Sequence, residues 1–366
     1  MKIGMDCRLW NETGVGRYIR NLVSELSKID VKNSYVLFAL DMDVLSIKRQ
    51  ISIKNWKVVV ANIRWHTLGE QLKFPQILEG ENIDLMHFPY FSVPVFYKRP
   101  FVVTMHDLIQ NHYSSGHAST LPFLFYCLKR IGYQKVLNYA ISKSKKIIVP
   151  LLSVKEDLIK TLKVSGNKII VTQEGFDSNI KKGKVSESVL KAVASPYFLY
   201  VGNAYPHKNL EVLIEGFSNV KLGINLILVG REDYFYKNLK EKKNSSLIFL
   251  HDISDSDLFY LYSNSVAVVS ASFMEGFGLI PLEALGVGAI PVVSDIPAFR
   301  EVCGEAAIYF NPKDVADITD KLIKAINLKE SERKEIKKKA ETLLKKFSWQ
   351  KMAKETLKIY ESCISL

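Results

Sequence analysis

Long apolar runs are missing from this chain of 366 residues. None approaches the ~20 consecutive apolar residues that span a bilayer, which argues against a helical membrane-spanning segment. Cysteine is scarce. The four present (Cys7, Cys127, Cys303, Cys363) are scattered, without C-x-x-C or Cys/His spacing. That argues against a disulfide framework and a zinc site, and leaves the thiols as small buried residues of a reducing cytoplasm. The sequons at Asn11 and Asn244 are then chance matches. No RNP box, zinc finger or basic-aromatic stripe accompanies the net charge of +12, so nucleic acid is not the expected partner. The opening Met1-Lys2-Ile3-Gly4-Met5-Asp6 is too short and too soon charged for a signal peptide, and reads as a first buried strand.

What is present is ordinary globular material, 48% hydrophobic and 24% charged, enough for two domains with good cores. The positive charge is lopsided. Residues 1–180 carry 24 Lys and Arg against 15 Asp and Glu, and residues 181–366 carry 26 against 23. A basic half suits an acidic substrate or anionic lipid.

Short apolar runs alternate with helix-type periodicity, which argues for parallel sheets covered on both faces. In the first half, strands are expected at Lys2–Cys7, Tyr35–Leu40, Trp56–Val60, Leu85–His87, Phe101–Met105 and Lys146–Val149. A helix is expected at Gly16–Leu26, with Ile19, Leu22, Val23 and Leu26 on one stripe. Lys181–Glu187 is polar and lysine-rich and reads as a linker. A second series then has strands at Phe198–Val201, Asn225–Val229, Ser246–Leu250, Val266–Ser270, Ala289–Val293 and Ala307–Tyr309. Helices fall between them, including Leu210–Phe217 and Asp255–Tyr262. The fold class is α/β, with two doubly wound Rossmann-like domains at 1–180 and 188–348 and ligands beyond the carboxyl ends of the strands in a central cleft.

The most informative segment is Glu275-Gly276-Phe277-Gly278-Leu279-Ile280-Pro281-Leu282-Glu283. A β-type run precedes it and a helix-type run follows from Pro281, so a glycine turn presents backbone N–H groups at a helix start, where an anion is favoured. Two carboxylates flank the turn. Ionised carboxylates only accept hydrogen bonds, which suits a ligand rich in hydroxyls. A nucleotide sugar has both features. The bland alternative is a surface loop with two solvated glutamates.

This segment resembles the donor-site signature of retaining glycosyltransferases of family 4, which have the GT-B fold. Gly286 to Pro297 resembles the family as well, and the likeness extends over nearly the whole chain, weakest between residues 30 and 85. It implies a glycosyltransferase that uses a nucleotide-sugar donor as substrate, without a metal or other cofactor, and a last helix (349–366) that packs back on the N-terminal domain.

Other strand ends carry further candidates. Gly14-Val15-Gly16 follows the first strand and opens a helix, and Gly14 and Gly16 permit close approach to a phosphate. A dinucleotide fingerprint would need a third glycine where Ile19 stands. Thr104-Met105-His106-Asp107 ends a buried strand. A His-Asp pair is often structural, but in the family this histidine lies near the reacting sugar, and His106 matches it. Tyr200 to Asn209 holds a glycine, a polar loop and Lys208 before a helix, a place where a point charge adds to the helix dipole. The family commonly has an arginine where Asn203 stands, so a two-cation clamp on the leaving phosphate is in doubt. Arg231, after Leu228-Val229-Gly230, suits the base or phosphate. Ile253 is a candidate for holding the base edge through its main chain. Asp41-Met42-Asp43 and Asp255-Ser256-Asp257 both read D-x-D but lack the context of a metal site, and Asp255 is expected to cap a helix.

The resemblance therefore implies retaining transfer of a hexose from a GDP- or UDP-linked donor to a saccharide or lipid-linked acceptor, with mannose as a mild preference. Lys208, the Phe277, Gly278 and Leu279 amides and the Gly14–Gly16 loop would hold the diphosphate. Glu275 would bind sugar hydroxyls, Glu283 the ribose, and His106 would orient the sugar. The absent arginine leaves open an inactive subunit that only binds nucleotide sugar. The stretch His117 to Lys146 mixes aromatic and basic residues. It reads either as a core helix with a solvated face or as a surface for the inner face of a membrane.

Overall fold

The Val- and Ile-rich runs form two wholly parallel sheets. The computed structural model describes residues 1–51, 55–113, 123–176, 183–241 and 245–364. Residues 117–122 of the aromatic-basic stretch, the first two linker residues and the sequon at Asn244 lie outside them, as do the side chains of residues 123–126.

The first sheet comprises β1 (Lys2–Asp6), β2 (Ser34–Ala39), β3 (Trp56–Val60), β4 (Leu85–Phe88), β5 (Phe101–Thr104), β6 (Ile147–Val149) and β7 (Ile169–Val171), in the order β3-β2-β1-β4-β5-β6-β7. Ile3 pairs with Tyr35 on one side and Leu85 on the other. The second comprises β8 (Tyr197–Val201), β9 (Asn225–Val229), β10 (Leu247–Leu250), β11 (Ala267–Ser270), β12 (Pro291–Ser294) and β13 (Ile308–Phe310), in the order β10-β9-β8-β11-β12-β13. Central strands such as β4, β5 and β11 are buried at every position, as parallel strands covered by helices on both faces must be. Each order reverses direction once, at β1/β4 and at β8/β11, and such a reversal opens a crevice at the carboxyl ends of the strands.

The chain divides into two units. One holds Met1–Leu108, Ser115–Gly175 and Ser348–Leu366. The other holds Ile109–Ser114 and Phe176–Phe347. In the first, the helix Gly14–Ile29 buries Ile19, Leu22, Val23 and Leu26, sharing one core with Met352, Ala353, Ile359 and Tyr360 of the last helix, Trp349–Ile364. In the second, the helices Leu210–Ser218 and Val315–Ile326 cover one face. The latter starts where the Asp314 side chain accepts from the Ala316 and Asp317 N–H groups, which satisfies two orphan donors.

Three differences from the sequence reading have local causes. Strand β7 is an additional element, only three residues long at the sheet edge. The strand expected at Ala289–Val293 is Pro291–Ser294, because the Val287, Gly288 and Ala289 N–H groups close the preceding helix onto Glu283, Leu285 and Ala284. Ser254, not Asp255, caps the helix Asp255–Asn264, in a capping box with Asp257.

Candidate active site

In the second unit, the loops that leave β8 and β11 flank the reversal point and are tied together. The Phe273 N–H donates to the His207 carbonyl at 2.8 Å. Lys208 Nζ, at the end of the β8 loop, lies 2.7 Å from Glu275 Oε1 in the β11 loop. Ser272 Oγ donates to the same oxygen at 2.6 Å. Both side chains of the ion pair are largely buried, 17% and 14% exposed for Lys208 and Glu275. Burial works against ionisation of Glu275, but Lys208 and Ser272 outweigh it and hold the carboxyl below its usual range. Burial and the neighbouring Lys208 push His207 down to about 4, so it is neutral at pH 7 and adds no second cation. Among the described residues both hydrogen bonds to Glu275 end on Oε1, so Oε2 can accept from a ligand. Lys208 has three donors and gives one to Glu275.

The turn that follows prepares a helix start. Gly278 has φ +98°, in the left-handed region open to glycine. It closes the turn so that the helix runs Leu279–Gly286, beginning two residues before the expected Pro281. Pro281 lies in its first turn, where a missing N–H costs nothing. No side chain caps this end, and Phe277, Gly278 and Leu279 are the residues that lead into it. Glu283 is buried and accepts from the Tyr262 hydroxyl at 2.9 Å. Asn203 lies in the β8 loop, where its carbonyl accepts from the Tyr200 hydroxyl. Arg231 is exposed just past β9, the neighbour of β8. Ile253 follows the edge strand β10 and its side chain packs against the core.

The first unit has its own cluster at the strand ends. Gly16 faces the Leu9 and Trp10 carbonyls so closely that a Cβ would lie 2.6 Å from the Trp10 oxygen. Its glycine is thus required by packing of the helix start, whereas Gly14 is exposed and borders open space. His106, past the end of β5, is held from both sides. Nδ1 lies 3.2 Å from Glu174 Oε1 and Nε2 lies 2.9 Å from the Pro89 carbonyl. The carboxylate that meets the ring is therefore Glu174; the neighbouring Asp107 contributes through its charge. Burial opposes protonation of His106, but Glu174 outweighs it and raises the pKa. Beneath lies a buried chain of contacts. His87 bonds Tyr360 at 2.5 Å and Thr104 at 2.8 Å, and Thr104 meets the Tyr18 hydroxyl at 3.2 Å. At the exit of β1, Arg8 is gripped by Asp6 and Glu70, each at 2.7 Å, with its guanidinium 3.7 Å from the Phe74 ring centre.

Sequence reasoning missed Ser272, Tyr262 and Glu174. Ser272 stands three residues before Glu275, a legible spacing. Glu174 lies just past β7, a strand the sequence reading did not include. Among the described residues no group of three or more His, Cys, Asp or Glu is placed to hold a metal.

Two parallel Rossmann-like sheets, each with one reversal of strand order, make up an architecture whose ligands bind beyond the carboxyl ends of the strands. Residues 13–179 match the family model described as glycosyltransferase family 4, and residues 182–343 match that of glycosyl transferases group 1. The chain belongs to these two-domain glycosyltransferases. It is 29% identical over 259 residues to the O-antigen chain mannosyltransferase RfbU of Salmonella typhimurium, covering 68% of this chain and 67% of the relative. It is 25% identical over 292 residues to the O-antigen chain mannosyltransferase B of Escherichia coli, covering 76% and 74%. The crystal structure of Anabaena Alr3699/HepE in complex with UDP and glucose matches with a TM-score of 0.76 at 16% identity, over 99% of this chain and 100% of its own. At that identity the likeness speaks to the fold, which is GT-B.

Proposed function

We propose that this glycosyltransferase moves a hexosyl unit, mannose by preference, from a nucleoside-diphosphate donor to a saccharide or lipid-linked acceptor of surface polysaccharide, with retention at the anomeric carbon and without a metal. The observation that carries the reading is the Lys208–Glu275 pair, 2.7 Å apart on the two loops at the β8/β11 reversal. The preference for mannose is supported by the relatives named as mannosyltransferases.

In this reading Lys208 and the Phe277, Gly278 and Leu279 amides stabilise the charge that develops on the departing diphosphate, as preorganised donors do without a metal. Glu275 Oε2 accepts from sugar hydroxyls and Glu283 is assigned to the ribose. Asn203, Arg231 and the Ile253 main chain are assigned to the remaining phosphate and base contacts. In the first unit, Gly14 and Gly16 are assigned to the diphosphate and His106 to the reacting sugar. The enzyme would work in the cytoplasm. Exposed Leu128 and Ile131 beside exposed Lys129, Arg130 and Lys135 suit peripheral contact with an anionic membrane, which flotation with charge-reversed variants would test.

The test of the function is incubation with GDP-mannose, UDP-glucose and other donors, with and without EDTA, and NMR of the product. A product that keeps the donor's anomeric configuration and resists EDTA supports the proposal. An inverted product, or EDTA-sensitive transfer, refutes it. Nucleotide-sugar binding without turnover would favour the inactive-subunit reading, to which Asn203 in place of a basic residue points.

A further inference from the structure

We propose that Glu174 is a positioning residue that keeps His106 doubly protonated, so that His106 is a fixed cation at the end of β5 and not a proton acceptor. Three strand ends deliver the parts: Pro89 directly follows β4, His106 stands two residues past β5, and Glu174 three residues past β7.

The argument is one of matching donors to acceptors. A carbonyl oxygen only accepts, and so does an ionised carboxylate. The His106 ring meets one of each, the Pro89 carbonyl at Nε2 and Glu174 Oε1 at Nδ1. A neutral imidazole carries one N–H. It would turn the lone pair of its other nitrogen towards an acceptor, in a place where the two side chains are only 12% and 4% exposed. A buried polar atom left in that state is costly. The second ring proton turns both contacts into hydrogen bonds, and the imidazolium–carboxylate pair is neutral as a whole, which makes its burial tolerable.

Tyr18 packs on His106 at 5.0 Å between ring centroids, in an edge arrangement, and its hydroxyl is turned to Thr104. His87, the neighbouring imidazole, is held neutral, pushed down to about 3 by burial and by His106. Asp107, next in the chain, adds negative charge. Glu174 is 3% exposed, so water does not compete well for its contact. The competing arrangement, a protonated Glu174 donating to a neutral ring, has one proton fewer on His106, and spectroscopy separates the two.

The first experiment needs no substrate. In protein labelled with 15N-histidine, both His106 ring nitrogens are expected at imidazolium shifts at pH 7.5. In Glu174→Gln, a near-isosteric change, the ring is expected to be a neutral single tautomer at the same pH. A neutral wild-type ring, or an imidazolium that persists in Glu174→Gln, overturns the proposal. The kinetic arm rests on the transferase reading above. With whichever donor supports turnover, the alkaline limb of kcat is expected to move at least one pH unit lower in Glu174→Gln, with the KM for donor changed less than twofold. An unmoved limb overturns the positioning role. An imidazolium in a protein that turns over no donor would sink the proposed function and leave this assignment standing.

Discussion

The two units share a strand order around their reversal points, yet they treat polar groups there in opposite ways. In the first unit the groups are closed on one another. Arg8 is taken by two carboxylates, both His106 nitrogens are occupied, and His87, Thr104, Tyr18 and Tyr360 form a chain. In the second unit the Lys208–Glu275 pair stays partly open, with Glu275 Oε2 and two lysine donors to spare among the described residues. A closed cluster fixes geometry, because every buried polar group already has its partner. An open one can exchange its contacts for those of a ligand.

That contrast can be broken by substitution. Arg8→Met leaves Asp6 and Glu70 buried without their cation and is expected to cost about 3–5 kcal/mol, read as a fall in the urea midpoint, while donor binding per folded molecule is unchanged. Lys208→Ala should reverse that balance. Turnover is expected to fall about 100- to 1,000-fold, the usual effect of removing one preorganised donor, with a smaller loss of stability. If Arg8→Met removed donor binding from the folded protein, or Lys208→Ala left turnover intact, the division of labour would be wrong. Gly278→Ala forces a side chain into φ +98°, with its Cβ 3.1 Å from the Phe299 ring. A cost of about 1–3 kcal/mol is expected, together with weaker nucleotide binding because the helix start shifts.

The pH dependence sharpens the comparison by a smaller margin. His207 in the second unit is depressed to about 4, by burial first and Lys208 second. The unfolded chain takes up that proton near pH 6.5. Stability from this group is therefore full above about 6.5 and is lost as pH falls towards 4. His106 in the first unit is raised, so its contribution is full below about 6.5 and is lost as pH rises through the folded value. Urea midpoints measured across pH should show that His207→Asn flattens the acid side and His106→Asn the side above neutral. The reverse pattern, or no change in either slope, would contradict these assignments.

Much of the fold was legible because buried parallel strands read as short apolar runs. Trp56–Val60 and Asn225–Val229 were expected at the bounds they have, and most others are displaced by one or two residues. Edge elements were harder: β7 is three residues long, with only Ile169 fully buried, too little pattern to stand out. The strand-end placement of Lys208 and Glu275 follows from chain order, but their contact does not. It depends on β8 and β11 being neighbours although 65 residues separate Val201 from Ala267. The Glu174–His106 pair is hidden for the same reason, since the two residues are 68 positions apart in the chain.

The most direct test of the donor site is calorimetric titration of wild type, Lys208→Ala and Glu275→Gln with GDP-mannose and with GDP, or with the corresponding pair for whichever nucleotide binds. The account predicts that Lys208→Ala weakens both ligands. It predicts that Glu275→Gln weakens the nucleotide sugar at least tenfold while changing the free nucleotide less than threefold. Equal affinity of all three proteins for the nucleotide sugar would contradict the assignment of the donor to the Lys208–Glu275 pair.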